Sequence, residues 1–107
     1  MSSNYTLGDT VRLALQVTEN SIPILSIANP KVNKIIMPND EKDSKFPANM
    51  TLTDSEFAVY TFDYNPDKVG DYIVIFTFEL EGVTYSSMEH FTVSLGYSAV
   101  LPKAIAR

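Results

Sequence analysis

Alternation of apolar and polar residues with a period of two is the feature that most constrains the fold of this chain. In residues 10–18, TVRLALQVT, an apolar side chain recurs at every second position, at Val11, Leu13, Leu15 and Val17. Successive side chains of a β-strand point to opposite faces, so this segment is predicted to be a strand with one buried face, as in antiparallel sheets. No segment of useful length has the 3.6-residue apolar period of a helix.

Further strand-forming runs follow along the chain. Residues 22–28 and 33–38 are short and are interrupted by prolines, so we expect brief or edge strands there, and residues 39–49 are predicted to be a polar loop with mixed charges. Residues 56–64 and 72–80 are longer runs, and the two-residue Glu81-Gly82 link predicts a hairpin to the last strand. The rows predicted to share a face are Ala58, Tyr60, Phe62 and Tyr64 in the first run and Tyr72, Val74, Phe76, Phe78 and Leu80 in the second.

These runs amount to about seven strands at short spacing, which predicts an all-β fold with two packed sheets and a core between their inner faces. Residues 9–95 would form this sandwich, and residues 1–8 and 96–107 would form short N-terminal and C-terminal arms. The C-terminal arm is rich in apolar residues, whereas a frayed tail is more often polar.

One short pattern precedes the longest predicted strand. Asp67-x-x-Gly70-x-Tyr72 resembles the tyrosine corner of immunoglobulin-like sandwiches, in which a Tyr early in strand F bonds through its hydroxyl to the backbone of the preceding corner. A buried phenol needs a hydrogen-bonding partner, and a corner has spare backbone groups. We therefore expect Asp67, Gly70 and Tyr72 to be fold-defining residues.

The chain as a whole resembles the immunoglobulin-like modules of bacteria and phages, although it lacks the paired cysteines and the core Trp of antibody domains. This resemblance covers residues 8–94 and implies an immunoglobulin-like antiparallel β-sandwich. Modules of this type are found in phage capsid decoration and head–tail accessory proteins, and the architecture also hosts many other roles. The matching motifs are Gly8-Asp9-Thr10-Val11-Arg12-Leu13, Gly70-Asp71-Tyr72 and Phe91-Thr92-Val93.

Composition excludes several classes of function. The absence of cysteine removes disulfides, thiolate metal sites and thiol nucleophiles. A net charge of −5 with eight scattered basic residues argues against nucleic acid or an anionic membrane as partner. The first residues have neither the basic nor the apolar region of a secretory signal, so we expect synthesis in the cytoplasm.

The residues able to support catalysis or metal binding do not form a recognisable motif. His90 is the single histidine, and we interpret it as a surface residue of the last strand. The carboxylates near the corner and in the 39–49 loop fit no calcium-binding loop pattern, and solvated turn aspartates explain them equally well. We therefore expect no enzymatic activity, no cofactor and no metal. These carboxylates are Asp63, Asp67 and Asp71 at the corner, and Asp40, Glu41 and Asp43 in the loop.

Some apolar residues exceed what one sandwich needs. If the Tyr72 row faces the core, Ile73 and Ile75 point outward, and Phe57 and Val59 do the same on their own strand. Outward apolar patches usually mark contacts with other proteins, and the alternative is that the C-terminal arm covers them within the same chain. The predicted protein-interface residues are Phe57, Val59, Ile73, Ile75, Tyr97, Val100, Leu101 and Ile105.

Two functions from different classes fit these observations. The first is a virion structural protein of a bacteriophage, a capsid decoration (cement) or head–tail accessory protein. It would assemble in the host cytoplasm and bind major capsid or neck proteins and itself. The second is a cell-surface or carbohydrate-binding module of an adhesin or secreted enzyme, with Tyr5, Tyr85 or Tyr97 stacking on sugar rings. A cytosolic scaffold that pairs sheet edges is a third hypothesis.

Overall fold

The computed structural model describes residues 3–95, and these residues form an all-β fold with ten strands and one short 3-10 turn at Pro38–Asp40. Seven strands have four residues or more: β1 (Ser3–Thr6), β2 (Val11–Leu15), β5 (Ala28–Ile36), β7 (Thr51–Asp54), β8 (Val59–Tyr64), β9 (Gly70–Leu80) and β10 (Val83–Ser94). Three are two-residue strands: β3 (Thr18–Glu19), β4 (Ile22–Pro23) and β6 (Ala48–Asn49). The predicted number of about seven strands is therefore too low, because such short pairings leave no periodic pattern.

The strands form two main sheets and one small hairpin. The larger sheet has five strands in the order β1-β10-β9-β5-β6, the smaller has three in the order β2-β8-β7, and β3 pairs with β4. All these pairings are antiparallel except that of β1 with β10, which is parallel. The prediction of a purely antiparallel sandwich is wrong at this edge.

The core lies between the two main sheets, as the alternation predicted. Val11, Leu13 and Leu15 are buried while the residues between them are exposed. They pair with Tyr64, Phe62 and Tyr60 of β8, which share their face. On the opposing sheet, the row that begins at Tyr72 is buried as far as Phe76. Residues of the core cluster are Val11, Leu13, Leu15, Val32, Ile35, Met50, Tyr64, Tyr72, Val74, Phe76, Phe91 and Val93.

Strand β5 is longer than predicted and is not an edge. It spans nine residues and pairs with β9 on one side and with β6 on the other. Pro30 is tolerated because the register with β9 shifts between Ala28 and Lys31, where Asn29 has a φ of 51°. A bulge of this kind leaves residues outside the regular ladder, and a proline there removes no ladder hydrogen bond.

The predicted N-terminal arm is partly a strand. Residues 3–6 form β1, which runs parallel to Phe91–Ser94 of β10 at the edge of the larger sheet. A turn stabilises the chain after β1, because the Thr6 amide donates to the Asp9 carboxylate at 2.9 Å. The C-terminal arm, residues 96–107, lies outside the described residues.

Candidate interaction surface

The corner before β9 is held together by the hydroxyl group of Tyr72. This hydroxyl donates to the Lys68 carbonyl at 2.7 Å and accepts from the Lys68 amide at 3.1 Å. The side chain is fully buried, and its ring stacks on that of Phe91 with centroids 4.8 Å apart. Burial raises the pKa of the Tyr72 hydroxyl, because an ionised phenolate would lose its hydration there. The Tyr72 hydroxyl is thus bonded to the backbone of the corner that precedes β9.

Gly70 occupies a position where another residue would collide. Its φ is +138°, and a Cβ added there would lie 2.7 Å from Cγ and 2.9 Å from Cβ of Pro38. The glycine therefore brings the start of β9 against the 3-10 turn. Asp67, in contrast, is exposed, and its carboxylate lies 3.6 Å from the ammonium group of the adjacent Lys68.

A buried carboxylate lies beside this corner and was not foreseen as a structural residue. Asp43 accepts a hydrogen bond from the Tyr64 hydroxyl at 2.8 Å and another from the Lys45 amide at 3.0 Å. The interpretation of Asp43 as a solvated loop residue is wrong, because only 9% of it is exposed. Burial, followed by the bond to Asp43, raises the pKa of the Tyr64 hydroxyl. The available signal was Tyr64 itself, since an inward tyrosine requires a hydrogen-bonding partner.

The predicted interface residues in the described part of the chain do not form one patch. Ile73 and Ile75 are half-buried on the outer face of the five-stranded sheet, where Ile75 is next to Met88 of β10. Val59 is half-buried in β8 of the other sheet, and Phe57 lies in the turn before it. The remaining predicted interface residues are Tyr97, Val100, Leu101 and Ile105, and they lie outside the described residues.

A different apolar surface is present where the β9–β10 hairpin extends past the smaller sheet. Leu15 and Gln16, at the end of β2, line one cleft of about 260 Å³ together with Phe76 and Ser87. The smaller sheet therefore ends opposite the middle of the hairpin, while β9 continues to Leu80. Beyond that point the inward row of β9 changes from buried at Phe76 to half-buried at Phe78 and Leu80.

Exposed apolar side chains concentrate at this end of the molecule. The turn between β7 and β8 lies at this end. Leu15 pairs with Tyr60 near the start of β8, and the Gln16 side chain donates a hydrogen bond to the Phe57 carbonyl in the turn at 2.8 Å. The β3–β4 hairpin follows β2 directly, and the Ile24 amide bonds to the Val17 carbonyl. We call the exposed members of this end the hairpin-end surface: Ile22, Leu25, Leu52, Phe57, Val83 and Tyr85, with exposures between 46% and 67%.

The polar residues considered for metal or catalytic chemistry are engaged elsewhere or lie apart. Asp63 binds Arg12 through two hydrogen bonds, which lower the pKa of that carboxyl, and Asp71 accepts from the Thr92 hydroxyl at 2.7 Å. His90 is exposed on β10. Among residues 3–95, no group of three or more His, Cys, Asp or Glu residues is placed to hold a metal ion.

The aromatic residues considered for sugar stacking also have ring partners. Tyr5 packs edge-on against Phe91 at a centroid distance of 5.7 Å, and Tyr85 stacks on Phe78 at 5.6 Å. One face of the Tyr85 ring is therefore already covered. Tyr97 lies outside the described residues.

Comparison with known protein families, curated proteins and solved structures finds no match to this chain. The described residues include no helix long and apolar enough to span a membrane.

Proposed function

We propose that this chain is a non-enzymatic structural module that binds a larger protein assembly through its hairpin-end surface. The observation that carries the proposal is the concentration of exposed apolar side chains at one end of an otherwise well-packed module. Leu25 and Ile22 are 63% and 67% exposed there. Large exposed apolar residues gathered in one region usually belong to a contact surface, because burying them on binding is favourable.

The proposed architecture is an immunoglobulin-like sandwich. The order β2-β8-β7 corresponds to strands B, E and D of that fold, and the order β5-β9-β10 corresponds to strands C, F and G. The tyrosine corner at the start of β9, the strand in the F position, supports the same assignment. Proteins with this architecture have many different functions, so the assignment describes the fold and does not by itself define the role.

Within this architecture, the proposed role is that of a bacteriophage capsid decoration or head–tail accessory protein. Its partners would be major capsid or neck proteins, and it would act in the virion. The resemblance of the Gly8–Leu13, Gly70–Tyr72 and Phe91–Val93 motifs to phage modules supports this role, as does the absence of cysteine, since phage particles assemble in the reducing cytosol. A decoration protein stabilises a particle by adding contacts that must be broken before subunits separate.

Binding to assembled particles tests the proposal. The untagged chain is co-expressed with the capsid proteins encoded in the same genome, and particles are isolated by sedimentation and imaged by electron microscopy. We expect the chain to co-sediment and particles lacking it to lose their integrity at a lower temperature. Absence of the chain from particles, or unchanged heat resistance without it, would refute the cementing role.

Matched variants test the surface itself. Leu25→Ser and Phe57→Ser remove exposed apolar side chains from the hairpin-end surface and should weaken co-sedimentation at least tenfold. Val69→Ser is the control, because Val69 is also apolar and 46% exposed but lies at the opposite end, beside Gly70. Equal binding by all three variants would place the contact elsewhere. Retention on immobilised glycans instead of particles would support the carbohydrate-binding hypothesis.

A further inference from the structure

Strand β10 has a long stretch without a neighbour on one side. It pairs with β9 along its length, whereas on the other side β1 pairs only with Phe91–Ser94. Among the described residues, no strand lies beside Val83–His90 on that side. Backbone N–H and C=O groups on an unpaired edge point outward and can bind another strand.

This edge has few of the features that usually prevent strands from pairing between molecules, and its one inward-facing carboxylate is Glu89, opposite Val74 of β9. Residues 83–90, VTYSSMEH, contain no proline and no lysine, and their register with β9 continues without a shift. The other edges are shorter or interrupted: β6 has two residues, β7 has a register shift after Leu52, and β2 has five residues with Arg12 exposed among them. The β10 edge is therefore the one best suited to accept a strand.

We propose that a second copy of this chain pairs with the β10 edge in antiparallel orientation, forming a symmetric dimer. Closed two-fold symmetry brings identical strands together in opposite directions. Directly opposed residues of antiparallel strands share a face, so the axis passes between one residue and its own copy. An axis at Ser86 pairs Val83–Glu89 of the two chains and places Tyr85 opposite Ser87 and Thr84 opposite Met88. The two five-stranded sheets then form one continuous sheet through their β10 strands.

The charges along the edge fit this orientation. Glu89 is the single carboxylate of residues 83–90, and pairing about an axis at Ser86 places it opposite Val83 of the other copy. No two carboxylates are directly opposed, so the like-charge repulsion that destabilises strand pairs is absent.

The size of the contact is sufficient for a dimer. Seven opposed residue pairs supply about six to eight hydrogen bonds between the chains, and a standard protein interface has about ten. The pairing also buries side-chain surface, since Met88 is 62% and Tyr85 is 46% exposed in the single chain. β1 sets the limit of the ladder, because it already occupies the edge from Phe91 onward.

The oligomeric state of the full chain tests this inference without any capsid component, so its outcome is independent of the proposed function. Sedimentation equilibrium over a range of concentrations should show a monomer–dimer equilibrium. The double variant Ser86→Lys with Ser87→Lys puts opposed lysines at the two-fold axis and should shift the dissociation constant at least 100-fold towards monomer. The control adds the same charge in exposed loops through Ser44→Lys with Ser55→Lys and should leave the equilibrium unchanged.

Charge complementation makes the test specific. The variant Ser86→Glu with Ser87→Glu should also be monomeric alone, and mixing it with the lysine variant should restore dimers with one copy of each. Circular dichroism checks that all variants remain folded. A chain that stays monomeric at every concentration, a dimer that persists in the lysine variant, or variants that fail to complement each other would overturn the proposal.

Discussion

The two ends of this molecule use aromatic and apolar residues in opposite ways. At the corner end, beside Gly70, the rings of Tyr64, Tyr72 and Phe91 are buried against one another, and both hydroxyls are hydrogen-bonded. At the hairpin end, Val83 and Tyr85 continue the inward-facing row of β10, yet each is about half exposed. We infer that the corner end stabilises the fold and the hairpin end is left for contacts.

Strand length explains this difference. The smaller sheet stops at Leu15, whereas β9 and β10 continue for several residues beyond the opposing Phe76 and Ser87. An apolar row is buried only where a second layer lies over it. At this end β9 is paired with β10 and, as far as Glu79, with β5, so a partner that covers this part of the sheet gains buried apolar area on a surface that is already formed.

Truncation of one tyrosine at each end should give the largest contrast. Tyr72→Ala removes a fully buried ring and should lower the free energy of unfolding by about 3–5 kcal/mol, the range for large aromatic residues in cores. Tyr85→Ala removes a half-exposed ring stacked on Phe78 and should cost about 1 kcal/mol. Urea denaturation monitored by circular dichroism measures both values. Similar losses would contradict the division of roles between the two ends.

A glycine at each end gives the second contrast. Gly70→Ala combines an unfavourable φ with a collision against the Pro38 ring, and should cost about 2–4 kcal/mol. At the hairpin turn, Gly82→Ala has an unfavourable φ of +80°, but its added Cβ would meet no atom of residues 3–95 within 4 Å, so a cost of about 1 kcal/mol is expected. Thermal denaturation compares the pair. Equal costs would show that the approach of Pro38 to Gly70 has no energetic consequence.

These contrasts also show how much of the molecule the sequence predicts. The period-two rows on β2, β8 and β9 identified the inner faces because burial against a second sheet requires that alternation. The Glu81-Gly82 hairpin was predicted from the turn, whose two residues have φ values of 52° and 80°. These features depend on a few consecutive residues.

The rest depends on where distant segments meet. Phe57 and Ile73 were placed in one patch because both point outward from strands, but a sequence pattern does not say which sheet a strand joins. The hairpin-end surface exists because β2 ends opposite Phe76 and Ser87 while β9 and β10 continue beyond them, a comparison of strand lengths across the two sheets. Asp43 is buried because its loop lies over Tyr64, and no local pattern indicates that contact.

Removal of a single hydroxyl at the corner end should have a smaller effect than truncation of the buried Tyr72 ring. Tyr64→Phe leaves the buried Asp43 carboxylate without one of its two donors, and such a loss costs about 1–3 kcal/mol. Chemical denaturation at neutral pH measures the difference. A change below the error of that measurement would indicate that solvent reaches Asp43 and replaces the hydroxyl.

The pH dependence of stability checks the same hydroxyl. Folding raises the pKa of Tyr64 above that of the unfolded chain, about 10. The stability that comes from the protonated hydroxyl is therefore complete below pH 10 and is lost as the pH rises above it. Tyr64→Phe should lose less stability than the original chain between pH 9 and pH 11. Parallel curves would show that Tyr64 does not contribute.

The smallest effect is expected from the ion pair on the outer face of the smaller sheet. The Arg12 guanidinium lies 3.0 Å from the Asp63 carboxylate, and both side chains are at least half exposed. Water and salt screen such a pair, and holding two mobile side chains together costs entropy. Arg12→Ala should therefore leave the melting temperature unchanged within error at 150 mM salt. A clear decrease, relieved by the compensating Asp63→Ala change, would show that the outer face of the smaller sheet also stabilises the fold.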